Sequence, residues 1–229
     1  MKKLIIPFII LIAIVALLMS LPHQQERDLN DYIINTLETY TRDGSLPYSW
    51  VSGYDGVTQD LSYRGVVIAK ANEDSSKSSF CCGLTFEVYY KSIMQALEDL
   101  DLDEDLNNMK ADDFSDFISR WFVQEKNGDG PGLALVPYGL GKKIEKMADV
   151  RKGDFVQIWR TSGSGHSVIF IEWTLNEAGD TTGMKYWSTQ PGTDGVNYNV
   201  EYFDAYGGKI DKSVTHYSRA FSPNEFIER

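Results

Sequence analysis

Apolar and polar positions change rhythm three times along the chain. From Leu4 to Met19 the residues are apolar almost without a break, LIIPFIILIAIVALLM, behind Lys2 and Lys3. No polar face interrupts the run. At about 16 to 18 residues it is at the short end for crossing a bilayer. It reads as a signal peptide or an uncleaved signal anchor over residues 1–23, with the lysines left in the cytoplasm and the remainder exported. A small-residue cleavage signal near Ser20 is weak and no lipobox cysteine follows, which favours a retained anchor.

The second rhythm is helical. Between Gln24 and Tyr40, Leu29, Ile33 and Leu37 fall on one stripe and predict an amphipathic helix. An irregular stretch rich in Gly, Tyr and Trp follows, then a short strand over Gly65–Lys70 and a polar loop, NEDSSKSS. Phe86, Tyr89, Tyr90, Ile93, Leu97 and Leu100 recur at helical spacing, predicting a helix from Cys81 or Cys82 to about Leu100. Phe114, Phe117, Ile118, Trp121 and Phe122 predict another over Asp113–Gln124. A short helix is expected near Lys142–Met147.

From Asp154 the period falls to two. DFVQIWR, HSVIFIEWT, GMKYWSTQ, VNYNVEYF and VTHYSRAF read as strands separated by Gly-rich turns, as in an antiparallel meander. Helices first and strands after predict an α+β fold, here as one domain over residues 24–229.

A hydrophobic fraction of 42% is enough for one sizeable core. The formal net charge of -11, without a basic patch, is a poor match to polyanions, so nucleic acid is not an expected partner. The acidic turn Asp101–Asp105 begins like a calcium loop, but the glycine and the closing glutamate are misplaced, and it reads as solvated charge. No glycine-rich phosphate fingerprint follows a strand. No metal and no cofactor are expected.

The only cysteines, Cys81 and Cys82, are adjacent. Neighbours rarely reach disulfide geometry without strain, and no CxxC pair suggests zinc. They are either small buried residues or a reactive thiol at a helix start, where the dipole and free N–H groups lower a thiol pKa. Gly83 would let a substrate approach closely. Of the three histidines, His23 reads as exposed and His216 as structural. His166 opens the apolar run HSVIFI after a GSG turn.

Cys81-Cys82-Gly83-Leu84 resembles the Cys-Ser-Gly-Leu/Phe motif of NlpC-type cell-wall peptidases. Gly153-Asp154 opening one strand and Gly165-His166 opening the next resemble the second half of the NlpC and CHAP amidase patterns. The resemblance implies a papain-like core, helices packed on a curved antiparallel sheet, with Cys81 as nucleophile and His166 as general base. It implies a third polar group on the following strand. There Tyr186, Ser188 and Gln190 share a face; Gln190 reaches furthest and can accept from an imidazole N–H, with Ser188 as the alternative. Backbone N–H groups near Cys81 and the side chain of Tyr48 would form the oxyanion hole, in a Tyr48-Ser49-Trp50 context similar to the family's Tyr-x-Trp-Gly. Cys82, at the motif's serine position, and Trp50 join Tyr48 as oxyanion or substrate candidates. Phe80 stands where the family has aspartate and Val51 where it has glycine, as in a divergent branch. The implied function is an extracytoplasmic cysteine hydrolase, membrane-anchored or secreted, acting on an amide, with peptidoglycan the accessible amide polymer. Acyl transfer by the same pair, or a catalytically silent binding module on the same fold, are the alternatives. The placement of Cys81 relative to His166 tests the silent-module alternative, and the acceptor pocket separates acyl transfer from hydrolysis.

Overall fold

The computed structural model describes residues 27–123 and 125–228. The expected anchor at residues 1–23 lies outside them. No helix among the described residues is long and apolar enough to cross a membrane. The architecture is α+β, with the α-helices preceding the main antiparallel sheet and a small hairpin after the first of them.

Helix α1 (Leu29–Glu38) starts where Asp28 caps the N–H of Asn30 and buries the stripe Leu29, Ile33, Leu37. Strands β1 (Leu61–Tyr63) and β2 (Val66–Ala69) form a hairpin. Arg64 and Gly65 both have positive φ at its turn, as a two-residue hairpin loop requires. β1 falls inside the stretch read as irregular, because three residues are too few to display an alternation.

Helix α2 (Cys81–Asp99) is the central helix. Leu84, Phe86, Val88, Tyr89 and Ile93 are fully buried on it. Tyr89 stacks on Trp121 of α3 (Asp113–Trp121), ring centroids 5.2 Å apart. Helix α4 (Gly130–Leu135) was not expected, since GPG reads as a breaker; Asp129 caps it at the N–H of Gly132, and proline is tolerated in a first turn. The Lys142–Met147 helix is absent. Those residues give the edge strand β3 (Gly141–Lys143) and a single turn at Met147–Asp149. Pairing of β3 with the strand at His216–Ala220 overrides the helical propensity of a lysine-rich segment. Residues 101–105 form a largely exposed turn.

The main sheet comprises β3, β4 (Phe155–Trp159), β5 (Gly165–Leu175), β6 (Thr181–Gln190), β7 (Gly195–Tyr202) and β8 (His216–Ala220). β4 to β7 are consecutive neighbours, as in a meander, but β8 returns to lie between β3 and β4. Both faces are covered. Phe155, Ile169 and Trp187 join the helices in one core, while Val156, Ile158, Val168, Phe170, Met184 and Tyr186 form a second core on the opposite face. α2 lies against β5 and β6 on the first face.

Glu87, fully buried on α2, ties these parts together. It accepts from Tyr40 Oη (2.8 Å), the Thr58 N–H (2.6 Å), Thr58 Oγ1 (2.8 Å) and Lys91 Nζ (2.6 Å). The loop around Thr58 is thereby fixed to the helix that carries both cysteines. Glu87→Ala should cost about 3 kcal/mol, because it strands buried donors and the lysine charge. Urea unfolding of the variant should show a lower midpoint; an unchanged midpoint would mean that this cluster holds nothing together.

Candidate active site

Cys81 is the first residue of α2, after the extended residue Phe80. The first helical hydrogen bond is Leu84 N–H to the Phe80 carbonyl, 2.9 Å. The N–H groups of Cys81, Cys82 and Gly83 therefore lie at the open end of a 19-residue helix, where orphan donors and the dipole favour negative charge. Phe80 replaces a polar cap with an anchor. Its ring meets Trp50 at 4.5 Å, Tyr54 at 5.4 Å and Phe122 at 5.5 Å.

The adjacent thiols face different surroundings, because successive residues on a helix point about 100° apart. Cys82 is buried in the helix-side core; Cys81 is partly exposed. Gly83 does not admit a substrate. A Cβ there would lie 2.3 Å from the Asp55 carbonyl oxygen and 2.5 Å from that of Gly56, so the glycine admits the loop at residues 55–56 instead.

His166 opens β5 beside Cys81 and is 5% exposed. It lies close enough to Cys81 to lower the thiol pKa. Its Nε2 is buried with no partner. A hydrogen bond from the Cys82 thiol does most to hold the Cys81 pKa well below the ordinary thiol value; burial opposes it, and His166 and the Ser167 N–H reinforce it. Burial pushes the Cys82 thiol well up, and the neighbouring Cys81 adds to the rise. Of the two thiols, Cys81 is thus the one more readily ionised and Cys82 the one that holds its proton.

A cleft of about 1030 Å³ opens over these groups, lined among others by Tyr48, Trp50, Cys81, His166, Gln190 and Glu201. Tyr48 is held by backbone pairing of its neighbours, Ser49 N–H to Ser79 O and Ser79 N–H to Pro47 O, both 3.0 Å. Burial raises its phenol pKa, and the nearby cysteines raise it further, so it stays a neutral donor beside the thiol. Trp50 is 64% exposed and forms the rim.

Ser188 and Gln190 separate on inspection. The Ser188 hydroxyl donates to the Ser167 carbonyl at 2.8 Å, so its proton is committed to joining β6 to β5. Gln190 lines the cleft, with Oε1 3.1 Å from the Tyr186 hydroxyl. His216, outside the site, bonds the Asn127 carbonyl at 2.8 Å.

Sequence reasoning missed the ionic group behind the histidine. Tyr186 stands edge-on to His166, centroids 5.6 Å apart. Its hydroxyl donates to Glu201 of β7, which pairs with Arg160 (Nε to Oε2, 2.8 Å). A carboxylate in the alternating run VNYNVEY was the available signal, since a charged residue at one face of a strand invites a search for its partner. Among the described residues, no group of three or more His, Cys, Asp or Glu side chains gathers as a metal would require.

At neutral pH iodoacetamide should label Cys81 many times faster than Cys82. The Cys81 rate should stay flat as pH is lowered from 8, then fall only once pH passes below its depressed pKa. Peptide mass mapping across a pH series measures both. Faster labelling of Cys82, or a Cys81 rate that falls tenfold per unit from pH 8 downward, would contradict the assignment.

No family model, no curated protein and no solved structure matches the chain.

Proposed function

We propose that this protein is an exported cysteine hydrolase with a papain-like core, cleaving an amide bond through an acyl-enzyme on Cys81. The observation that carries the reading is the Cys81 thiol itself. It sits partly exposed at the N-terminus of α2, its pKa is held well below the ordinary thiol value, and His166 lines the same open cleft. A merely structural cysteine has no need of a convergent set of donors.

In the reaction, the thiolate attacks the amide carbonyl, forming the C–S bond while the carbonyl electrons move onto oxygen. The Cys81 N–H and the Tyr48 hydroxyl are the donors that would face that oxyanion. His166, as imidazolium, gives its proton to the departing amine, and the C–N bond breaks. Neutral His166 then takes a proton from water as it attacks the thioester, and cleavage of the C–S bond releases the acid and restores the Cys81 thiolate and the His166 imidazolium. Gln190 is the remaining cleft group for orienting the imidazole. No step requires a cofactor. The papain-like reading is supported by the order of the parts, a helix opening with the cysteine and packed on an antiparallel sheet that begins its second long strand with the histidine. Peptidoglycan is the proposed substrate because an exported amidase at a bacterial surface meets it as an abundant amide polymer; the membrane is the proposed partner of the N-terminal segment.

Cys81→Ala should reduce amine release from a panel of peptidoglycan-derived peptides to background. His166→Ala should lose on the order of 10⁴-fold or more, since nucleophile and base act as a unit. Circular dichroism of each variant controls for folding. Undiminished turnover by Cys81→Ala would reject the mechanism.

A further inference from the structure

Gly165, the first residue of β5, lies open to the cleft, and its backbone is not in the left-handed region. Space accounts for the glycine instead. A Cβ there would lie 3.0 Å from Gln157 Nε2 and 3.1 Å from the Trp159 ring. In the β4–β5 ladder Gly165 pairs with Trp159, and Ser167 with Gln157, so alternation puts all four on one face. It is the face of α2, since Phe155 and Ile169 further along the same ladder belong to the helix-side core. Ser167 meets the first turn of α2 through Thr85, Oγ to Oγ1 2.9 Å. Gly165, Gln157, Trp159 and Ser167 line the same cleft as Cys81.

Gln157 is 4% exposed, yet its amide is mostly uncommitted. Among the described residues its side chain makes one hydrogen bond, from Nε2 to the Ile158 carbonyl at 3.2 Å. A primary amide carries two N–H donors and a carbonyl acceptor. One N–H and the carbonyl are therefore left over in the wall of a cleft, although buried polar groups are ordinarily paired. The neighbours are spent. The Trp159 indole N–H donates to the Gly128 carbonyl at 2.9 Å, leaving the ring as an apolar wall. The Ser167 hydroxyl is engaged with Thr85. Beside the bare backbone of Gly165 stand one unmatched donor and one unmatched acceptor. An extended peptide offers the reverse pair, because the N–H and C=O of one residue point to the same side and can both be exchanged with a partner. An ester or a tertiary amide offers the acceptor alone.

We propose that Gln157 is a specificity-determining residue: it seats one residue of an extended peptide substrate over Gly165, its NH₂ donating to that residue's C=O and its carbonyl accepting that residue's N–H. This rests on the reading of Cys81 as the reactive thiol of the cleft. It narrows the substrate from any amide to a peptide with an unsubstituted backbone N–H close to the scissile bond. It is testable without turnover.

The test compares alkylation of Cys81 by iodoacetyl-glycyl-alanine amide, which carries peptide units, with alkylation by iodoacetamide, which carries none. Each rate is divided by the rate of the same reagent with free glutathione. The peptide reagent should be favoured roughly tenfold, as two added hydrogen bonds allow. Replacing the glycine or the alanine of the reagent by its N-methyl counterpart removes one N–H at a time, and one of the two replacements should abolish most of the gain in the unaltered protein. Gln157→Leu should bring the peptide reagent and iodoacetamide to equal normalised rates. Gly165→Ala should do the same, because its Cβ displaces the amide. No gain in the unaltered protein, a gain kept by both N-methyl reagents, or a gain kept by folded Gln157→Leu would overturn the proposal even in an active enzyme. A gain that depends on Gln157 in a protein that releases no amine would support it while sinking the hydrolase reading.

Discussion

The site depends on one buried junction, where the first turn of α2 meets the first residues of β5. Thr85 Oγ1 lies 2.9 Å from Ser167 Oγ and 3.1 Å from the Cys82 carbonyl, and it accepts from Trp121 Nε1 at 3.2 Å. Ser188 closes the set from β6 by donating to the Ser167 carbonyl. Thr85, Ser167, Ser188 and Trp121 are all 1% exposed or less. Each group left without its partner would cost about 1 to 3 kcal/mol, so the four elements have one favoured arrangement. Cys81 precedes this turn and His166 precedes Ser167. Their separation is therefore set by a network that neither of them belongs to.

The same junction accounts for the division between two chemically identical neighbours. Rotation about the helix axis sends Cys82 into the core and leaves Cys81 at the cleft. Burial holds the proton on Cys82, and that proton can then stabilise a charge on Cys81. The second thiol, Cys82, thus keeps a protonated group beside Cys81. Gly83 completes the turn by admitting the backbone at residues 55–56, which Glu87 anchors through Thr58.

The long elements and the two central groups were legible in the sequence. Helix α2 and strands β4 to β8 carry strong periodicity, and a cysteine at a helix start and a histidine at a strand start are local facts. What was not legible depended on partners distant in the chain. β1 is too short for a pattern, α4 hides behind glycine and proline, and β3 exists because β8 pairs with it. Period-two reasoning put Ser188 and Gln190 on one face but could not reveal that the Ser188 proton goes to a neighbouring strand's carbonyl. The role read for Gly83 failed because a loop nearly thirty positions earlier fills that space. The Arg160–Glu201–Tyr186 chain joins three strands, and only the sheet order brings it behind His166.

The central claim is that Cys81 is a nucleophile and not a buried core thiol. Its most direct test is capture of the acyl-enzyme: rapid acid quenching during turnover of an activated peptide ester, then intact mass and peptide mapping. The account predicts a thioester adduct of the acyl mass on the peptide carrying Cys81, removed by hydroxylamine and absent from Cys81→Ser. Turnover of the ester with no adduct on Cys81, or with the acyl group on Cys82, would contradict it.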